Sequence, residues 1–594
     1  MRDPRIIIVG GGLAGLMATI RVAESGVPVD LFSIVPVKRS HSVCAQGGIN
    51  AAKNLKGEGD STWKHFDDTI YGGDFLANQP LVKGMCEAAP AIIDLLDRMG
   101  VMFNRTPEGL LDFRRFGGTL YNRTAFAGAT TGQQLLYALD EQVRRHESEG
   151  KVTKYEGWTF LSAVIDKAGV CRGICAMNLH TMEVRTFRAD AAIFCTGGIG
   201  AVFGRSTNSV VCTGSAQSAL FQQGVYYANG EFIQVHPTAI PGEDKLRLMS
   251  ESARGEGGRV WVPKLAGDKR PAKSIPETER FYFLEEWYPK YANLVPRDVA
   301  TRAIHKIVFE EKLGIAGEAA VYLDVTHIPR EVLDRKLEGI LEIYEKFVGS
   351  DPREEPMKVF PAMHYTMGGL WVNNEDQATN IPGIYAAGEC DYQYHGANRL
   401  GANSLVSCIY AGMLSGPAAV RYSCGLEKGA EATGESVFEA ERTRQREAND
   451  KLLHQQGSEN PITIWKEMGQ TMTENVTVIR YNKAMESTLA KLDELDARYK
   501  KINLSDRTQW ANQTLQFARE LENMLILARV ITLGAIARNE TRGAHYKPDY
   551  PERDDRNWLK TTKASYNNGR IQLAYEPVDI SLIPPRERKY TAAK

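Results

Sequence analysis

The feature that most restricts this chain is an apolar run, Ile6-Ile7-Ile8-Val9, leading straight into Gly10-Gly11-Gly12-Leu13-Ala14-Gly15. The run reads as a strand and the glycines as a tight turn. Leu16 to Ser25 then continues at helical spacing, and Pro28 to Phe32 forms a second apolar strand. Such a βαβ unit aims a helix N-terminus, with its unpaired N–H groups and positive dipole end, across backbone that lacks Cβ atoms. A dinucleotide pyrophosphate fits there. Glycine turns alone are common, and it is the flanking strand and helix that favour a nucleotide over a plain turn. Many such folds end the second strand on an acid that bonds ribose hydroxyls. Here Ser33 stands in that place, able to accept a hydrogen bond but uncharged, which argues against a plain NAD enzyme.

With 594 residues the chain is long enough for several cores. Composition shifts divide it into 1–241 with the nucleotide fold, 242–347 with charged helices and aromatic loops, and 348–426, where glycine-rich strand and turn signals resume. Residues 427–540 turn long, charged and helical, with spans expected at Lys466 to Asn482, Met485 to Arg498 and Thr508 to Arg538. Residues 541–594 are rich in Arg, Asp, Tyr and Pro. The fold class expected is α/β: a Rossmann-like nucleotide domain with an inserted α+β capping domain, then a helical bundle and a small C-terminal domain. No internal repeat or low-complexity tract interrupts it.

A formal net charge of -1 gives no field to attract nucleic acid. Met1 to Arg5 leave no room for an export leader before the first strand. Met524 to Ala537, the most apolar late stretch, is interrupted by Arg529 and flanked by Arg538, so any membrane contact is expected through a partner. Nine cysteines lack the paired spacing of metal or iron–sulfur sites, Cys171 and Cys175 being the nearest pair. No metal is expected, and a reducing cytosolic compartment fits.

Lys38-Arg39-Ser40-His41-Ser42, followed by Ala45-Gln46-Gly47-Gly48-Ile49, would pass singly for a solvated loop. As a string it resembles the flavin-linking motif of succinate dehydrogenase and fumarate reductase flavoproteins, in which the histidine bonds covalently to the isoalloxazine ring of FAD. The resemblance extends to about Lys560. It includes Thr196-Gly197-Gly198, Ile384-Tyr385-Ala386-Ala387-Gly388-Glu389, His395-Gly396-Ala397-Asn398-Arg399-Leu400-Gly401 and Asn403-Ser404-Leu405, and near the end Arg542-Gly543-Ala544-His545 and Arg553-Asp554-Asp555. It implies covalent FAD on His41. The cofactor residues would be Gly10, Gly12, Leu13, Ala14, Gly15, Ser33, Lys38, Arg39, Ser40, Ser42, Gln46, Gly47, Gly48, Thr196, Gly197, Ser215, Glu389, Ser404 and Leu405. At Thr213-Gly214-Ser215-Ala216 the family often carries Asp in place of Ser215, so that contact loses its charge.

Taken singly, His236 and His364 would read as satisfied core or surface residues. The resemblance implies instead that His236, His364, Arg399 and Ser250 clamp a dicarboxylate, with Phe116 as an apolar wall. Arg297 would move the proton, supplied through Glu251 and Arg254. An arginine, with a reference pKa of roughly 12.5 to 13.8, is a poor acid, so charge stabilisation is the alternative role for Arg297.

The implied protein is the flavoprotein catalytic subunit of respiratory complex II, interconverting succinate and fumarate. It would pass electrons to an iron–sulfur subunit and a haem-containing membrane anchor cytochrome b, peripheral on the cytoplasmic face of the cell membrane. Phe32 to Cys44 and Gly388 to Tyr392 look most like the menaquinone-linked bacterial type. A fumarate reductase running mainly in reverse is the alternative. The L-aspartate oxidase branch shares the fold but lacks the linking histidine. Soluble fumarate reductases would carry their own haem or cluster motifs, and a non-catalytic FAD-binding regulator would have no use for the arginines and histidines.

Overall fold

The computed structural model describes residues 4–242 and 246–590. The expectation of no export leader rests partly on residues 1–3 and so falls outside them. The opening strand β1 (Ile6–Val9) is wholly buried, and helix α1 (Leu13–Glu24) and strand β2 (Val29–Ser33) follow it as the glycine turn predicts. Its sheet is parallel, in the order Ile384–Ala386, Ala191–Phe194, β1, β2, Val152–Glu156. Continuous apolar strands suit it because helices cover both faces of such a sheet. A Cβ at Gly15 would lie 1.8 Å from the Gly10 carbonyl oxygen, so only glycine lets α1 start this close to β1. Gly10 itself takes φ 118°, a conformation open to glycine.

A second, antiparallel sheet of six strands lies over the carboxyl ends of the first, in the order Arg247–Leu248, Ile233–Ile240, Met357–Thr366, Val321–Asp324, Arg259–Pro263, Arg280–Phe281. Two of these strands, Ile233–Ile240 and Met357–Thr366, flank the 242–347 span. Val260, Phe283, Ile304, Leu323 and Leu341 belong to the capping core.

The helical region contains Glu435–His454, Pro461–Asn475, Asn482–Tyr499 and Gln513–Ala537. The helix expected from Lys466 starts earlier because Asn460 caps it, accepting from the Ile462 N–H, with Pro461 at the first position. The one expected from Thr508 starts later, where Asn512 accepts from the Leu515 N–H. The hairpin Lys560–Asn567 and Arg570–Pro577 pairs with Tyr227–Ala228, joining the end of the chain to the nucleotide domain.

Candidate active site

The carboxyl ends of the parallel strands and the capping sheet enclose a cavity of about 430 Å³. Gly10, Gly12, Leu13, Ala14, Ser33, Ser40, His41, Ser42, Gln46, Gly47, Gly48, Thr196, Gly197, Ser215, Glu389, Ser404 and Leu405 line it. So do Phe116, His236, Ser250, Glu251, Arg297, His364 and Arg399. Residues scattered over nearly four hundred positions are thus brought to one space. Four of the expected residues lie off the wall. Gly15 is buried in the first turn of α1, against the Gly10 carbonyl. Lys38 turns away to Asp140 and Glu141, at 3.5 and 3.2 Å. Arg39 is exposed. Arg254 stands behind Glu251, to which it is bonded.

At one end the wall is mainly backbone. Gly12 precedes the first turn of α1, whose free N–H groups face the cavity, and Ser42 Oγ accepts from the Leu13 N–H at 3.3 Å. The helix Asn403–Gly425 also begins here, after Ala402 in the left-handed region (φ 61°). His41 Nδ1 accepts from the Ser209 N–H at 3.1 Å, and its Nε2 lies 3.2 Å from Asn208 Nδ2. Glu389 accepts from the Thr366 N–H, and burial pushes its carboxyl up to about 7. Ser215 Oγ accepts from Asn523 Nδ2 at 2.7 Å.

At the other end the wall is charged side chains. Glu251 sits between two arginines: Oε2 accepts from Arg297 Nε and Nη2 at 3.0 and 2.7 Å, and Oε1 from Arg254 Nη2 at 2.9 Å. Arg297 Nη1 donates to Gln234 Oε1 at 2.9 Å, and Arg254 Nη1 to the Asn293 carbonyl at 2.8 Å. Burial raises the Glu251 pKa, but Arg297 and Arg254 outweigh it and hold the carboxyl below its usual range. His236 and His364 stand on adjacent strands with ring centroids 5.1 Å apart. Burial, reinforced by Arg297, keeps both well below the ordinary histidine range, so they are neutral. His236 Nδ1 accepts from the Thr238 N–H, which leaves its Nε2 as a buried donor with no partner among the described residues. Arg399 Nε is likewise buried without a partner, and the guanidinium lies 4.2 Å from the Tyr365 ring centroid. Burial, with Arg297 close by, pushes Arg399 down to about 9. Phe116 packs so close to Gly47 that a Cβ there would come within 2.5 Å of its ring.

Sequence reasoning missed several residues. Gln234 orients Arg297 and lies two positions before His236 on the same strand face, a period that could have found it. Asn208 and Ser209 around His41, and Glu520, which borders the cavity from the helical region with its carboxyl pushed by burial up to about 7, carry no local signal.

The cradle fits FAD. Besides the glycine turn, buried polar atoms of Gln46 and Thr196 face the cavity without protein partners. The fold and site define an FAD-binding flavoprotein. Accordingly, the family described as an FAD binding domain matches residues 5–405, and that described as fumarate reductase flavoprotein C-term matches 465–590. The chain is 64% identical over 596 residues, 100% of each chain, to the succinate dehydrogenase flavoprotein subunit of Bacillus subtilis. It is 35% identical to the fumarate reductase flavoprotein subunit of Escherichia coli, over 98% of this chain and 95% of that one. The solved structure of an E. coli quinol fumarate reductase variant superposes with a TM-score of 0.90 at 33% identity, covering 99% of each chain. This chain belongs to the family of succinate dehydrogenase and fumarate reductase flavoprotein subunits.

Proposed function

We propose that the chain is the catalytic flavoprotein subunit of a succinate dehydrogenase, oxidising succinate to fumarate and able to run in reverse. Arg399 carries this reading. It is a buried guanidinium with an unpartnered nitrogen on the cavity wall, beside a neutral histidine that offers a free N–H. Such a pair is a receptor for a carboxylate, because an unpaired buried charge is costly and an incoming anion removes that penalty.

When bound, FAD supplies the hydride acceptor. Arg399 and His236 Nε2 hold a substrate carboxylate, and His364 and Ser250 complete the clamp, so that the substrate reacts from one fixed orientation. Phe116 excludes water from the apolar carbons. Arg297 faces the carbon that loses or gains the proton. Its guanidinium exchanges that proton with Glu251 Oε2 at 2.7 Å, and Glu251 Oε1 continues the chain to Arg254 at 2.9 Å. The two arginines hold Glu251 ionised, so that it keeps both guanidiniums in place along this chain. Gly10, Gly12, Ser33, Thr196, Gly197, Ser215, Glu389, Ser404 and Leu405 would hold the cofactor, with His41 as the point of covalent attachment.

The partners are an iron–sulfur subunit and a haem-containing membrane anchor cytochrome b, with this chain on the cytoplasmic face of the cell membrane. In support, the relatives are subunits by name, and no helix among the described residues is long and apolar enough to cross a membrane. The purified chain should oxidise succinate with a dye and reduce fumarate with a reduced viologen. Failure of both in flavin-loaded protein would sink the reading. Acid precipitation should leave the yellow colour with the protein, and its release would remove the His41 assignment.

A further inference from the structure

Asp298, next in the chain to Arg297, is buried and has no part in the chemistry above. Its carboxylate accepts a two-pronged pair from Arg588, Nη1 to Oδ2 at 2.5 Å and Nη2 to Oδ1 at 3.0 Å, with side chains only 7% and 1% exposed. Arg302 adds a bond at 3.2 Å from one turn further along. Burial would raise the Asp298 carboxyl, yet Arg588 and Arg302 hold it below its usual range. The helix Arg297–His305 begins after Pro296, which offers no side-chain cap, and Asp298, directly after Arg297, ties its opening turn to the C-terminal segment.

Arg588 arrives from the far end of the sequence. Residues 579–590 run as a strap over the nucleotide domain, where Gln79 accepts from the N–H groups of Leu582 and Ile583 and donates to the Ile583 carbonyl. Arg586 pairs with Asp67 at 2.6 Å, and the Tyr71 hydroxyl bonds both the N–H and the carbonyl of Lys589. Tyr590 then packs edge-on between Tyr71 of the nucleotide domain and Tyr291 of the capping region, with centroids 5.5 and 5.2 Å away. The strap therefore crosses the seam between the two layers and ends on the helix that starts with Arg297.

We propose that this C-terminal strap is a positioning clasp for Arg297, the Arg588–Asp298 fork fixing the opening turn that aims its guanidinium into the cavity. A two-pronged arginine–carboxylate pair sets orientation as well as distance. Thr301, one turn on, donates to the Val235 carbonyl at 3.1 Å and holds the helix to the strand, while the fork on Asp298 holds the turn from which the Arg297 nitrogens reach Glu251 and Gln234. Arg588 touches no reacting atom and acts through Asp298. The inference rests on the function proposed above.

The test uses the complete complex, dye-linked succinate oxidation and measured flavin content. Arg588→Gln and Asp298→Asn should each lower kcat about tenfold to a hundredfold, the scale of a misplacement near 1 Å. KM should stay within about twofold, since the clamp is untouched, and flavin content should match wild type. The double variant should be no slower than the slower single one, as expected when both remove a single interaction. Wild-type kcat in either variant, or losses that multiply in the double, would overturn the clasp. So would a fall in kcat that only tracks loss of flavin or of melting temperature. If Arg588→Gln fails to assemble, Asp298→Asn decides alone by the same split between kcat and KM. An inactive wild-type complex would overturn the functional reading and the clasp with it, a result distinct from an active wild type matched by its variants.

Discussion

The two ends of the cavity are built in opposite ways. The cofactor end is largely backbone, drawn from short strings such as residues 10–14, 44–48 and 404–405, and it recognises shape and phosphate charge through N–H groups. The substrate end is side chains from positions 236, 250, 251, 297, 364 and 399, gathered from two strands, a short turn, a helix start and a loop. Its electrostatics are under tension. Glu251 pairs with both Arg297 and Arg254, while among the described residues Arg399 has no carboxylate within bonding distance and its guanidinium is pushed down to about 9. Both ends are finished by a ligand, the one through backbone N–H groups and small polar atoms, the other through buried charged side chains. Substitutions should separate accordingly: changes at the charged end should leave the cofactor in place and remove turnover, and changes at the backbone end should remove the cofactor.

The sharpest way to break this contrast is Arg297→Gln. Turnover should fall by roughly a thousandfold or more, within the range of a lost general acid or base, with flavin content and dicarboxylate-inhibitor affinity near wild type. A Gln variant that keeps a substantial fraction of the rate would reduce Arg297 to a charge stabiliser. Gly15→Val tests the opposite end: its Cβ would collide with the Gly10 carbonyl, so the protein should be isolated with little flavin. Normal flavin loading there would refute the tight-turn argument.

Arg399→Lys keeps the charge but loses the fork, and should raise KM for succinate about tenfold or more while sparing flavin. Unchanged KM would move the carboxylate site elsewhere. His41→Ser joins the two ends. It should bind FAD without a bond, reduce fumarate with viologen, and lose succinate oxidation. For a two-electron couple about 30 mV corresponds to about 1.4 kcal/mol, so a modest drop in flavin potential is enough. Retained succinate oxidation in this variant would count against that role for the linkage.

The smallest effect is on pH dependence. His236 and His364 are held far below their ordinary value in the fold, whereas the unfolded chain protonates near the reference value of about 6.5. Below that pH the unfolded state binds more protons, so these histidines make stability fall as pH falls, by up to about 1.4 kcal/mol per pH unit for each. Above it they contribute no slope. Melting of the complex between pH 7.5 and 5.5 should therefore be less pH-dependent in the His236→Gln, His364→Gln double variant. An equal slope would show that neither histidine is held neutral by the folded protein.

The backbone end was legible in the sequence because its information is local. Ile6 to Gly15 encodes strand, turn and helix start within a few residues, and β1, α1 and β2 follow as the pattern predicts. The identities at the charged end, His236, His364, Arg399, Arg297 and Glu251, were accessible through resemblance, since single residues far apart carry no periodic signal. Tertiary structure alone decided that Gln234 braces Arg297, that Ser209 and Asn208 bracket the His41 ring, and that Lys38 and Arg39 turn outward. It also brought Arg588, near the end of the chain, onto Asp298. Hydrogen bonding within a turn is dictated by neighbours in sequence, but the partner of a buried charge is whichever group packing brings to it, and packing is settled by the whole fold.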